Sequence, residues 1–389
     1  MNDTAYEIPA PRASLSGRND GKGQAEAYAR EDEERRPAAC VRGDGEGRPA
    51  TRVQGDGNER AASCVGDDGA ERTAVAAAPR IAKRLAAWWE ANARDLPWRF
   101  GRATPWGVLV SEVMSQQTQM SRVVPYWQAW MELWPDASAL AGASTAEVIT
   151  MWGRLGYPRR ALRLQECAQA VSERYADELP RTYERLVALP GIGDYTASAV
   201  MSFAYGKRVA VIDTNIRRVL SRVFLGKESM GGAASAAERA LANTVLPQDP
   251  SASVMWNQAV MELGAVVCAA KKPLCERCPI AGECLFLESG LPGLGEKRTR
   301  PRQRFQGTDR QVRGIVLNAL RGLSSEHASS QPRTTAAASR AHAAAPRSLP
   351  REQVESLWKD HVQLDSCIAS LDEDGLIEIL PDGSLRLPR

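Results

Sequence analysis

Nine of the ten tryptophans in this 389-residue chain lie between Trp88 and Trp256. Tryptophan is a large, mostly buried side chain, so that interval must hold the main core. Within it, apolar residues recur at helical spacing over 81–94, 107–117, 144–153, 159–174, 182–189, 194–205, 214–224, 234–244 and 252–265, with no alternating strand. The block is therefore expected to be all-α. Ser144 with Glu147 three residues on reads as a capping box, and Thr182 after Pro180 as a helix cap.

The flanking composition differs. Residues 1–78 carry no Trp or Phe and are rich in Gly, Ala, Arg, Glu and Asp. So few apolar groups cannot offset the entropy of ordering, and a disordered tail is expected. Residues 79–292 then form the helical domain, and 293–308 a basic linker around Lys297-Arg298-Thr299-Arg300-Pro301-Arg302-Gln303-Arg304. The linker reads equally as a solvated tether and as a contact to phosphate. Residues 309–389 read as a smaller unit, with helices at 309–321, 350–358 and 361–372 and a disordered Ala/Ser-rich insert over 324–347. Two short strands, 376–380 and 385–387, surround the turn at Asp382-Gly383. Three helices and a hairpin suggest a winged-helix-like module.

Fifty Lys and Arg against 47 Asp and Glu leave a net charge of only +3, so bulk charge does not mark a nucleic-acid binder. The chain opens on polar Met1-Asn2-Asp3-Thr4, and no apolar run approaches the roughly 20 residues of a membrane span. A cytoplasmic protein with no membrane partner is expected. Four of the eight cysteines, Cys268, Cys275, Cys278 and Cys284, crowd into 17 residues as C-x6-C-x2-C-x5-C. That crowding points to a metal site in a reducing compartment rather than a disulfide framework, and thiolate softness alone admits either zinc or a 4Fe-4S cluster. Lys271, Lys272 and Arg277 between the cysteines face either solvent or a phosphate. Cys40, Cys64, Cys167 and Cys367 match no ligand spacing.

Leu189-Pro190-Gly191-Ile192-Gly193-Asp194-Tyr195-Thr196 lies between two helical patterns, so the chain turns sharply there on glycines. Such a turn aims backbone N–H groups outward, and with the helix start behind them they suit an anion such as a DNA phosphate. About 20 residues on, Asp213 opens the run Asp213-Thr214-Asn215-Ile216-Arg217-Arg218, where its ordinary role is a helix N-cap. Together the hairpin and this aspartate resemble the helix-hairpin-helix signature of the base-excision DNA glycosylases. The segment Pro105-Trp106-Gly107-Val108-Leu109-Val110-Ser111-Glu112-Val113-Met114-Ser115-Gln116-Gln117-Thr118-Gln119 is similar to the leading motif of MutY-type adenine DNA glycosylases. Leu96-Pro97-Trp98-Arg99 before it and Leu155-Gly156-Tyr157 after it extend the likeness.

The resemblance implies an all-α helix-hairpin-helix glycosylase with an iron–sulfur loop, acting as a monomer on double-stranded DNA that contains a mispaired adenine. It implies Glu112 as the acid that protonates the adenine ring, Asp213 as the carboxylate that steadies the sugar, and Tyr195 and Asn215 as groups that orient them. Glu112 would need a pKa raised by burial, whereas Asp213 would stay ionised at its helix start. Gln117 and Tyr157 would fill the stack vacated by the extruded nucleotide; Gln117 on a helix surface and Tyr157 in the core are the plain alternatives. Thr118, Leu155, Gly156, Gly191, Ile192, Gly193 and Arg99 would complete the DNA-facing set. The cysteine spacing matches the iron–sulfur loop of the endonuclease III and MutY group, which implies a 4Fe-4S cofactor without a part in bond cleavage.

Three other readings stay open. A glycosylase and lyase similar to endonuclease III would carry a hairpin lysine where Tyr195 stands, and a thymine or uracil mismatch glycosylase would share the hairpin and the aspartate. A non-catalytic binder of damaged DNA is the third. MutY enzymes commonly continue into a NUDIX-like domain that reads 8-oxoguanine through Phe-Ser-His. No Phe-Ser-His occurs here, and the residues after the linker are too few for that domain.

Overall fold

The computed structural model describes residues 75–229, 233–296, 305–328 and 347–389. The last residues of the expected disordered tail, 75–78, are instead ordered, with Ala77 and Ala78 buried in a core; the rest of the tail, the basic run 297–304 and most of the expected insert lie outside the described residues.

Two apolar cores build the helical block. The first is filled from α2 (Pro105–Ser115), α3 (Met120–Leu133), α4 (Ala137–Ala141), α5 (Thr145–Trp152), α6 (Arg159–Tyr175), α7 (Tyr183–Val187) and α8 (Asp194–Phe203). Trp130 anchors it, its ring meeting Trp134 and Trp152 edge-on at centroid distances of 4.8 and 5.4 Å. The second is filled from α1 (Ala78–Asn92), α9 (Thr214–Leu225), α10 (Ala236–Val245) and α11 (Pro250–Val266). Helix α8 serves both, giving Ala197 and Val200 to the first core and Ala199 to the second. A residue at its start is thereby held at the seam between them.

Periodicity located most of these helices, and the Ser144–Glu147 capping box forms with both hydrogen bonds present. Thr182 precedes α7 but its side chain caps nothing. Helices α3 and α4 were not expected from the sequence. Pro125 inside α3 interrupts the helical reading, yet a proline removes one backbone hydrogen bond and buried Trp127 and Trp130 offset that loss.

After short α12 (Leu285–Glu288) comes the smaller unit: α13 (Asp309–Ala328), α14 (Arg351–Glu355), α15 (His361–Glu373), β1 (Glu378–Ile379) and β2 (Leu385–Arg386). The strands pair antiparallel, Glu378 opposite Arg386, and Leu349 adds a bridge to Leu385. Gly383 turns the hairpin at φ +78°. Helix α13 runs to Ala328, so the first residues of the expected insert are helical. Its Val312, Val316 and Leu320 pack with Leu364, Ile368 and Leu371 of α15, and Ile149 of α5 joins that third core. The third core is thereby continuous with the helical block.

Candidate active site and DNA-facing surface

Glu112 sits on α2, a helix opened by the Thr104 cap and Pro105, in which every residue from Trp106 to Met114 is buried. Its side chain is 8% exposed, which removes the reading of an ordinary solvated glutamate. Tyr195, second residue of α8, donates its hydroxyl to Glu112 Oε2 at 2.5 Å. Burial lifts the Glu112 pKa from 4.5 to about 7; the Tyr195 hydrogen bond and the Arg99 charge pull it down, while the Asp213 charge pushes it up. Burial and the same two carboxylates hold Tyr195 well above the ordinary tyrosine range, so it remains a donor.

Asp213 caps α9, Oδ1 accepting from Ile216 N–H at 2.6 Å and Oδ2 from Asn215 Nδ2 at 2.8 Å. Its pKa is raised on balance: burial pushes it up, and those donors and Arg218 offset only part of that. Asn215 Oδ1 in turn accepts from Arg218 Nη2 at 2.9 Å, and Arg218 also donates to the carbonyls of Gly264, at 2.6 Å, and Cys268, at 2.8 Å. A Cβ on Gly264 would stand 2.8 Å from Asn215 Cβ and 3.0 Å from its carbonyl oxygen. Only glycine lets α11 press this closely on the start of α9. The Asp213 charge is felt by both Glu112 and Tyr195, so α2, α8 and α9 bring the expected acid, its donor and the expected carboxylate to one place.

The hairpin joins α7 to α8. Gly191 has φ +74°, and a Cβ there would stand 2.8 Å from Arg163 Cβ, so two constraints require glycine. Gly193 is different: its backbone is extended and a Cβ would meet nothing within 4 Å. Nothing within the described chain demands glycine at 193, and its bare backbone faces open space. Ile192 is buried in the first core, its N–H bonded to Leu189 O at 3.2 Å, so it anchors the turn from inside. The amides of Gly191 and Gly193 make no backbone hydrogen bond among the described residues.

Two loops stand beside the hairpin. Gln117 and Tyr157 both adopt left-handed backbone, φ +55° and +48°, and Gly156 precedes Tyr157 at φ +85°. Non-glycine residues are uncommon there, and where they occur the surrounding structure must hold them. Tyr157 is half exposed and Gln117 exposed, which excludes core packing for the tyrosine. Thr118 Oγ1 donates to the carbonyls of Gln116 and Leu155 at 3.2 and 3.4 Å, tying the loops together. Leu155 itself is buried, so its side chain is core.

All four clustered cysteines line one small void together with Val219, Arg222 and Leu263. Cys275 lies in one 3-10 turn, Cys278 ends it, and Cys284 ends a second. Among the described residues no three His, Cys, Asp or Glu side chains converge as a single metal ion requires. Arg222 Nη1 donates to Cys268 Sγ at 3.4 Å and to Ala269 O at 3.0 Å, holding the loop to α9. Lys271, Lys272 and Arg277 are exposed. Cys167 and Cys367 are buried free thiols. Cys40 and Cys64 lie outside the described residues.

Residues 110–245 match the HhH-GPD superfamily of base excision DNA repair proteins. The chain is 43% identical over 305 residues to an adenine DNA glycosylase of Mycolicibacterium smegmatis, covering 78% of this chain and 94% of that one. It belongs to the adenine DNA glycosylase family. A Mycobacterium tuberculosis adenine DNA glycosylase is 41% identical over 78% of this chain and 92% of its own. The human adenine DNA glycosylase is 42% identical over 54% of this chain and 40% of its own. Among solved structures, a thermostable thymine-DNA glycosylase superposes with a TM-score of 0.51 at 28% identity, over 55% of this chain and 97% of that one.

Two arginines stand where the sequence does not lead one to expect them. Arg99, expected to face DNA, is turned inward: its guanidinium pairs with fully buried Glu262 at 2.7 Å, lies over Trp89 and leaves the side chain only 10% exposed. Arg94 joins the same glutamate at 2.6 Å. A buried carboxylate needs such partners, and Arg99 is committed to it. Arg160 was not singled out at all. Its Nη1 donates to the carbonyls of Val113 and Gln116 at 2.7 and 2.6 Å, and its Nη2 to Gly156 O at 3.1 Å. One half-buried guanidinium thus closes the end of the Glu112 helix and fastens both the Gln117 and Tyr157 loops. The only sequence signal was its place three residues after Tyr157.

Proposed function

We propose that this chain is a monofunctional glycosylase that removes adenine mispaired with 8-oxoguanine or guanine in double-stranded DNA. The observation that carries the reading is the buried Glu112 carboxyl, its pKa lifted to about 7, held by Tyr195 and sharing its surroundings with Asp213. The names of the mycobacterial and human relatives supply adenine as the base.

An adenine inside the stack cannot reach Glu112, so the nucleotide rotates out, at a cost that is least for a mispair. Gly191 and Gly193 offer free amides to the backbone phosphate, and Gln117 and Tyr157 fill the gap. Tyr195 donates to one Glu112 oxygen, which leaves the other to carry the acid proton. That proton passes to adenine N7, and the N-glycosidic pair departs with the base. Asp213, oriented by Asn215 and Ile216 N–H, is drawn into its ionised form by the cationic sugar, whose charge counters the burial that raises its pKa. Water adds at C1′ and gives its proton to a carboxylate, leaving free adenine and an abasic site. Tyr195 occupies the hairpin position where a lyase would need an amine, so the reaction ends there.

The four cysteines fit a 4Fe-4S group: all four soft sulfur donors line one void against α9. When bound, the group would staple the 268–284 loop against α9. The protein is taken to act as a monomer in the reducing cytoplasm, beside the nucleoid. No helix among the described residues is long and apolar enough to cross a membrane.

The test is single-turnover cleavage of duplexes carrying adenine opposite 8-oxoguanine or guanine, followed by alkali. The wild-type chain is expected to release adenine, and Glu112→Gln to bind the duplex without cutting. Excision by Glu112→Gln at a comparable rate overturns the role of the acid. Because the solved neighbour is a thymine-DNA glycosylase, thymine opposite guanine belongs in the same assay; thymine release without adenine release overturns the substrate.

A further inference from the structure

A cavity of about 1060 Å³ opens beside the Gln117 and Tyr157 loops, and neither Glu112, Tyr195 nor Asp213 lines it. It is therefore a separate space from the carboxylate site. Tyr157 and the hairpin at Pro190 and Gly191 form one side, and the start of α13 with Phe305 and Arg310 forms the other. Tyr157 and Phe305 are 50% and 57% exposed. The Arg310 guanidinium reaches both rings, 5.8 Å from the centre of Tyr157 and 5.9 Å from that of Phe305. Arg159 and Arg313 on the same walls are matched by Asp374, at 3.2 and 2.5 Å. No carboxylate among the described residues pairs with Arg310.

Two exposed rings with a guanidinium between them that keeps its hydrogen-bond donors free of any carboxylate make a stacking site that also donates hydrogen bonds. When one nucleotide leaves the duplex, the base it was paired with loses its partner and keeps a bare edge. That base lies next to whatever fills the gap, and Tyr157 stands both in the proposed wedge and in this cavity wall. We propose that Phe305 and Arg310 form a reading pocket for the orphaned base of the opposing strand, and that the occupant is guanine or 8-oxoguanine. The rings supply stacking surface, and Arg310 donates to O6, which both bases present and where adenine carries an amine. The pocket would give this chain, at the start of α13, a means to sense what stands opposite the adenine. The inference rests on the proposed adenine excision.

The experiment uses the full chain with Phe305→Ala and Arg310→Ala, both surface changes, checked for unchanged melting. Single-turnover rates are measured with adenine opposite guanine, 8-oxoguanine, cytosine and a tetrahydrofuran abasic analogue. The same opposing series is titrated for Kd in a Glu112→Gln background. The rate and affinity ratios of guanine or 8-oxoguanine over the abasic analogue are expected to fall about tenfold for Arg310→Ala, the loss of one good contact to a base edge. Phe305→Ala is expected to lower the same ratios less. Equal losses opposite all four partners, the mark of a phosphate contact, overturn the pocket, as does no loss opposite any. Should the wild-type chain release no adenine, the functional reading fails, and the Kd ratios still decide the pocket.

Discussion

At the scale of single residues, Glu112 gives the most direct expectations. Its folded pKa of about 7 stands above its ordinary 4.5, so the acid form is present at neutral pH and is lost above it. The single-turnover rate is therefore expected to fall as pH rises from 7 to 9, and a rate rising through that range overturns the assignment. The same shift bears on stability. A carboxyl whose pKa is raised on folding contributes fully below pH 4.5, and that contribution is lost as pH climbs to about 7. Above that, the buried charge opposes folding by on the order of 3 kcal/mol. Glu112→Gln should thus melt higher than wild type at pH 8 and with little difference near pH 5, as calorimetry would show. Motif context alone singles out Glu112 and Asp213 in the sequence, against the plain readings of solvated glutamate and N-cap; the structure removes the first by burial and retains the second, since Asp213 is an N-cap. Arg99 was misread because its partner Glu262 lies 163 residues away, a distance no local pattern spans.

At the scale of elements, the helix joints matter more than the helices. Arg160 holds the last carbonyls of α2 and the Gly156 carbonyl together. Arg160→Ala leaves those acceptors bare at a cost of about 2 to 3 kcal/mol and frees both loops, so excision should drop along with melting temperature. Arg160→Lys should restore part of the stability and less of the rate, since one ammonium cannot reach two loops. Gly264→Ala drives a methyl against Asn215 at 2.8 Å and its carbonyl at 3.0 Å. It is expected to lower the excision rate more than duplex affinity, because the displaced Asn215 serves Asp213 and not the phosphate sites. Affinity lost in proportion would contradict that. Helical periodicity revealed nine of the helices in the main block, while α3 stayed hidden behind Pro125 and α4 behind its five-residue length. Neither joint was legible, because each joins groups far apart in the chain that meet only after packing.

At the scale of the whole molecule, polar and apolar contacts together fasten the C-terminal unit to the helical block. Arg159 meets Asp374 at 3.2 Å and Arg321 Nε donates to Ile149 O at 3.1 Å, beside the apolar insertion of Ile149. Asp374→Ala removes the partner of both Arg159 and Arg313, and partly exposed pairs of this kind contribute about 1 kcal/mol. The expected result is faster hydrogen exchange in the C-terminal unit with the Glu112 helix still protected. How that unit sits on the block was not readable from the sequence, which showed its helices and hairpin but not the cavity facing Tyr157. The left-handed backbone at Gln117 and Tyr157 sets sturdiness against insertion. Each such residue is held at a cost on the order of 1 kcal/mol that glycine would relieve. Variants sorted for heat tolerance alone should therefore collect glycine or asparagine at these two positions, and arrive at a hardier fold unable to keep a duplex pried open.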